Sequence, residues 1–285
     1  MDRRQFLKRC FQIGGYAAIA QLGLGAVEDA IGHGILPALV GGGASGSAWS
    51  TWSETTEAGI ADDDNYVCFM ENTSAGGNEV GQGGGLSEVN RTLTQIGNIA
   101  GATGSPPSRV IDGINDYFSF TQAMADALIG NANRTWAIIF KLHTVTTSSK
   151  ILLNISGPGE IVYIETTSAR RINFRISQDG GVAENKATTD VCNNTGTVYV
   201  CLWANGTELR GGFIDSGSPN GATKPTKLSD FNANDRVLFT YTGDFAGEAF
   251  SSDRSFFSQT GTYPFVCSAY YVVISKTASI INNAS

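Results

Sequence analysis

The sequence predicts an all-β fold: a two-sheet antiparallel sandwich, preceded by an N-terminal segment of different character. From residue 66 onward the chain is a succession of short runs rich in Val, Ile, Thr, Tyr and Phe, separated by clusters of Gly, Asn, Asp and Ser. That is the spacing of a sandwich or barrel. Of the 285 residues, 41% are hydrophobic and only 16% charged, with 35 glycines, a turn-rich profile unlike a coiled coil or a disordered chain. A single amphipathic helix is credible, at 122–129, ended by Gly130 and Asn131. Without helices alternating with strands, a parallel α/β sheet is excluded.

The first 48 residues are set apart as a signal and tether, residues 49–64 as a linker and residues 65–285 as the domain. At the N-terminus, Arg3, Arg4, Phe6, Leu7 and Lys8 precede a mildly apolar, Gly/Ala-rich stretch from residue 13 to 27. A basic start followed by a short apolar region is the physical form of an export signal. Gly14, Gly15, Gln21 and Gly23 interrupt the stretch and make it a poor permanent membrane span. The order Arg-Arg-x-Phe-Leu-Lys resembles bacterial twin-arginine export signals, which carry folded cargo. It departs from them at Asp2, where Ser or Thr is usual. Cleavage after Ala26 and after Ala48 both remain open, as does a short basic amphipathic helix on a protein never exported. Residues 28–53, with Gly32, Gly34, Pro37 and Gly41-Gly42-Gly43, have linker composition.

Predicted strands follow at 66–71, 92–95, 117–120, 135–145, 150–156, 160–166, 171–178, 197–204, 207–212, 236–241 and 265–276. In 135–145, alternation places Ile138, Phe140 and Leu142 on one face and Ile139, Lys141 and His143 on a wetter one. Asn205-Gly206 predicts a type I′ hairpin between 197–204 and 207–212, because Asn-Gly tolerates two positive φ angles. Asp112-Gly113 predicts a tight turn before the aromatic strand at 117–120.

Four segments in order carry a family resemblance. Arg109-Val-Ile-Asp-Gly-Ile-Asn-Asp-Tyr-Phe resembles the "F-D-G-x-x-D-Y" segment of laminin G-like domains in the concanavalin A-like lectin/glucanase superfamily. Thr135-Trp136-Ala137-Ile138-Ile139-Phe140-Lys141 is similar to a characteristic strand of that family, with Phe140 where Trp is usual. The segments 198–206 and 270–279 resemble its later hairpin and its closing strand. The resemblance spans about residues 65–281. It implies a jelly-roll sandwich of two curved antiparallel sheets, whose first and last strands lie near each other.

Cys10 falls in the signal, leaving Cys68, Cys192, Cys201 and Cys267 in the domain. Four cysteines in an exported protein are consistent with disulfides in one of three pairings, and buried free thiols are the other reading. Cys192 and Cys201 flank the turn-prone Asn193-Asn194-Thr195-Gly196. The family resemblance brings the strands of Cys68 and Cys267 together and favours that pair. No Cys-x-x-Cys spacing points to zinc.

For function, a net charge of −7 works against nucleic acid as a partner. Only His33 and His143 exist, so a nucleophile–histidine site would rest on His143 alone. Superfamily glycoside hydrolases carry alternating carboxylates such as Glu-x-Asp-x-x-Glu along one strand, and no such run is present. Asp244 with Glu248, and Glu160 with Glu165, lack same-face spacing and read as solvated charges. A carboxylate pair assembled from distant segments stays open. The residues therefore predict no catalytic group and no required cofactor.

Calcium would be the one candidate ion. Asp62-Asp63-Asp64 is the densest oxygen cluster; Asp179-Gly180-Gly181 and Asp215-Ser216-Gly217 read as turns. Trp203, Tyr241, Tyr263 and Phe245 sit where exposed rings could stack on sugars, with core packing the default. The expectation is a non-catalytic, exported, periplasmic or surface binding module for carbohydrate or a surface protein, engaging export machinery through its N-terminus. A structural subunit of a phage tail or appendage, and so a virion component, is the alternative, and a glycan-cleaving enzyme the second.

Overall fold

Alternating side chains and Gly/Asn/Asp turns build sixteen strands among the described residues of the computed structural model. It describes residues 61–112, 114–130, 134–143, 150–192, 196–258, 265–277 and 281. The export-signal residues Arg3, Arg4, Phe6, Leu7 and Lys8, Cys10, the tether, most of the linker and Tyr263 lie outside the described residues. No helix among the described residues is long and apolar enough to cross a membrane.

All strand pairs are antiparallel and form two sheets, giving an all-β sandwich. The first sheet contains β14 (Arg236–Leu238), β13 (Leu209–Ile214), β12 (Thr197–Asn205), β7 (Thr135–His143), β16 (Cys267–Ser275), β1 (Asn65–Phe69) and β3 (Gln82–Gly83), in that order, with β5 (Arg109–Ile111) also on β16. The second runs β11 (Glu184–Ala187), β10 (Ile172–Ser177), β9 (Ile161–Thr166), β8 (Lys150–Ser156), β15 (Arg254–Phe256), β6 (Tyr117–Ser119), β4 (Thr92–Ile96), β2 (Glu79–Val80). The first and last long strands are neighbours, with Asn65 opposite Ser275 and Phe69 opposite Tyr271.

Helix α1 (Glu88–Arg91) is a single turn. Helix α2 (Gln122–Leu128) is the predicted one. Its N-cap Thr121 accepts the Met124 N–H, and Met124, Ala125 and Leu128 are buried, so a polar cap and one apolar face account for it.

The inward faces of the two sheets form the main core. Ile138, Phe140, Val200, Leu202 and Val272 from the first sheet meet Leu153, Ile155, Ile164, Phe174 and Phe256 from the second. Phe140 and Phe256 pack edge to face, with ring centroids 5.5 Å apart. The outer face of the first sheet is buried too. Val67, Ala137, Ile139, Tyr199, Trp203 and Val273 form a second cluster with Leu228 and Phe231, which belong to the segment 215–235. Phe231 stacks on Trp203 at 5.2 Å.

Three expectations are corrected here. The outer side of β7 is wet only at its end: Ala137 and Ile139 are buried, while Lys141 and His143 are partly exposed, because 215–235 covers the sheet. The β12–β13 hairpin forms, but β13 starts at Leu209, and Gly206 alone takes a positive φ (+85°), whereas type I′ needs two. Asn205 Oδ1 instead accepts the N–H groups of Thr207 and Glu208. The four described cysteines are buried and form no disulfide with one another. Cys68 stands opposite Val272 and Cys267 opposite Ile111, so five positions of β16, roughly 16 Å of strand, separate the favoured pair. Cys192 belongs to the inter-sheet core and Cys201 to the outer cluster, on opposite sides of the first sheet.

Candidate active site

The end of β13 leads into the cover segment, and there the chain makes a polar pocket. It has a volume of about 320 Å³ and is lined by Asp190, Val191, Phe213, Asp215, Ser216, Gly217, Asn232 and Asp235. Asp215 leaves β13 as a turn residue: its Oδ1 accepts the Gly217 N–H at 2.7 Å, and its own N–H donates to Ser218 Oγ at 3.1 Å. Asp235 closes the short 3-10 turn Ala233–Asp235, just before β14. Asn232 Nδ2 donates to Asp235 Oδ2 at 2.9 Å and to the Gly217 carbonyl at 3.1 Å, joining the two sides of the pocket.

Asp190 comes from the connection after β11. The N–H groups of Thr189 and Asp190 both donate to the Asn234 carbonyl, at 2.8 and 3.2 Å. Thr188 Oγ1 donates to the Asp190 carbonyl at 3.1 Å. Gly212 makes the approach possible: a Cβ there would lie 2.8 Å from the Phe231 ring and 3.0 Å from the Asp235 carbonyl oxygen. A side chain at 212 would therefore push the 3-10 turn off the sheet.

Asp215 and Asp235 are buried and Asp190 partly so. Burial pushes the Asp235 carboxyl up to about 6; the charges of Asp190 and Asp215 push the same way, against the Asn232 hydrogen bond. The Asp190 carboxyl is within hydrogen-bonding reach of it. Cys192, behind this group, has its thiol pushed far up, by burial first and then by the charges of Asp215 and Asp235, so it is no nucleophile. One carboxyl raised to about 6, with two further carboxyls in the same pocket, is an acid/base arrangement.

The other sequence candidates fall elsewhere. In Asp62-Asp63-Asp64, Asp62 Oδ1 caps a turn by accepting the N–H groups of Asp64 and Asn65. Trp203 and Phe245 are fully buried and Tyr241 donates its hydroxyl to the Val182 carbonyl. His143, at the end of β7, lies opposite Thr197 and Ser268. Glu160 stands in the turn before β9, and its carboxylate lies with those of Asp179 and Glu248. Asp190 and Asp235 were not singled out by sequence reasoning. The available signal was weak: Asn-x-x-Asp at 232–235, a local capping pattern.

No family model matches the chain, and no curated protein matches it. Solved structures similar to it include sialidases. Trypanosoma rangeli sialidase in complex with the inhibitor DANA is 12% identical, with a TM-score of 0.42, over 78% of this chain and 31% of that one. The same sialidase in complex with a difluorinated KDN is 14% identical with a TM-score of 0.40, over 75% and 31%. The NanB sialidase from Streptococcus pneumoniae is 7% identical with a TM-score of 0.41, over 59% and 25%. The chain thus spans less than a third of the length of these structures.

These findings correct the expectation of a non-catalytic binding module and of a chain that is not an enzyme. These similar structures are sialidases, and a carboxyl group of the kind used for acid/base chemistry is present in one pocket, assembled from three separate segments.

Proposed function

We propose that the chain is a glycan-cleaving enzyme in which Asp235 is the general acid and Asp215 the second carboxyl group, with Asp190 positioning the Asp235 proton. The observation that carries this reading is the convergence of the three aspartates in one open polar pocket. Hydrolysis of a glycosidic bond needs a carboxylic acid to protonate the leaving oxygen and a carboxylate to stabilise or attack the oxocarbenium-like centre. Asp235, raised toward neutrality, can hold that proton. Asp215, its Oδ1 held by the Gly217 N–H, is oriented to be the second carboxylate. A polar wall of Ser216, Asn232 and carboxylates suits a hydroxyl-rich substrate. The laminin G-like, jelly-roll character, the carbohydrate ligand and export through the twin-arginine-like segment belong to the same proposal; the sequence resemblance and the adjacency of β1 and β16 support the fold part.

The test is reducing-sugar release from a panel of oligosaccharides and polysaccharides between pH 4 and 8, with wild type and Asp235→Asn. Wild-type release should fall as pH rises through about 6, and the variant should lose about 10²–10⁴-fold in rate. No release from any substrate, or release that survives Asp235→Asn unchanged, overturns the assignment.

A further inference from the structure

We infer that Glu160, Asp179 and Glu248 form a calcium site at the end of the second sheet, separate from the aspartate pocket and independent of its assignment. One carboxylate oxygen from each of the three lies within 4.8 Å of the others. Three loops deliver them: Glu160 from the turn between β8 and β9, Asp179 from the turn after β10, and Glu248 from the loop before β15. Backbone and side-chain bonds hold the loops together. The Gly180 N–H donates to the Gly159 carbonyl at 3.2 Å, and Ser177 Oγ to the same carbonyl at 3.0 Å. Gln178 Nε2 donates to the Asp244 carbonyl at 2.8 Å. The site is thus preassembled from segments far apart in sequence.

A carboxylate cluster alone is a common surface feature; Glu160 sets this one apart. Its residue is only 2% exposed, and its Oε2 is buried with no hydrogen-bond partner. Among the described residues, no Lys, Arg or His forms an ion pair with any of the three carboxylates. Burial, and next the Glu248 charge, raise the Glu160 carboxyl above its ordinary value. A buried acceptor without a donor and a cluster without a counter-charge both call for a cation. Gly157 keeps the space open, since a Cβ there would stand 3.3 Å from Glu160 Oε2 and 2.3 Å from the Ala249 carbonyl oxygen. All the donors are oxygens, mostly anionic, on loops rather than in a regular cage. That donor set suits Ca²⁺, which accepts irregular coordination, better than Mg²⁺, which demands a near-octahedral one, or Zn²⁺, which favours nitrogen and sulfur.

The experiment is thermal unfolding and calorimetric titration of the full chain in chelator-treated buffer, with CaCl₂ and, separately, MgCl₂. Wild type should bind CaCl₂ in the submillimolar range or tighter, and 5 mM CaCl₂ should raise Tm by several degrees, with a smaller effect of MgCl₂. Asp179→Asn, exposed and able to keep the turn, should weaken CaCl₂ binding at least tenfold. Glu160→Gln should also bind at least tenfold more weakly and, without metal, should melt above wild type because a like charge is removed. Asp235→Asn should bind CaCl₂ as wild type does, which separates this site from the catalytic proposal. No heat and no Tm change up to 10 mM CaCl₂, or wild-type binding in both Asp179→Asn and Glu248→Gln, overturns the site.

Discussion

Asp235 couples the proposed chemistry to stability. Its folded-state carboxyl is raised from 3.8 to about 6, so the native state holds the proton more tightly than the unfolded chain. The sign follows: this contribution is fully present below about pH 4 and is lost as pH rises through about 6. Asp235→Asn has no proton to lose, so denaturant titrations at pH 4 and pH 8 should show the variant gaining about 1–2 kcal/mol on wild type at the higher pH. An unchanged difference between the two pH values would show that the Asp235 carboxyl has the same proton affinity in the folded and unfolded chain.

Arg109 is the other decisive residue. It is fully buried, and its guanidinium donates to the carbonyls of Ala100, Gly77 and Ile99, to Gln95 Oε1 and to Glu79 Oε1, the last as a 3.0 Å ion pair. Five donors meet five acceptors on segments from residue 77 to residue 100, so this one side chain ties that region to β5. Arg109→Met removes the counter-charge of buried Glu79, which keeps only the Glu71 and Asn72 N–H groups, takes a donor from the Gly77 and Ala100 carbonyls, and should cost about 3–5 kcal/mol in urea unfolding. Adding Glu79→Gln should recover part of the loss; additive losses would show that the pair is not coupled. The sequence showed Arg109 as the first residue of a family-like segment, but a buried guanidinium has no local signature, because its acceptors are mostly backbone carbonyls supplied by other loops.

At the scale of elements, β13 shows how two adjacent glycines serve opposite faces. Gly211 faces the core, where a Cβ would meet the Phe174 ring at 2.8 Å; Gly212 faces outward, against Phe231 and Asp235. Gly212→Val should lift the cover segment, costing about 1–3 kcal/mol and lowering glycan release at least tenfold by displacing Asp235. Gly221→Ala is the control: its site is open but its φ is +65°, so it should cost about 1 kcal/mol and leave activity unchanged. Equal effects of the two on activity would detach the pocket from the packing of β13. The strands and α2 were legible in the sequence because their signals are local: alternation, Gly/Asn turns and the Thr121 cap. The short β2, β3, β5, β11 and β15 were not, since two to four residues carry too little periodicity to separate strand from loop.

For the whole molecule, the proposal of export is tested on the chain itself. Changing Arg3 and Arg4 together to Lys should abolish twin-arginine-dependent transport of a fused reporter in a bacterial host, measured as periplasmic against cytoplasmic signal; unchanged location would remove that proposal. The sequence by itself determined the all-β class, the positions of most long strands, helix α2 and the absence of a same-strand carboxylate run, because each is written in neighbouring residues. The tertiary structure alone decided that the outer face of β7 is covered, that Cys68 and Cys267 are held apart, and that Asp190, Asp215 and Asp235 share a pocket while Glu160, Asp179 and Glu248 share a loop cluster. Those facts depend on which loops the two stacked sheets bring together, and on burial shifting a carboxyl's proton affinity, neither of which a linear spacing encodes.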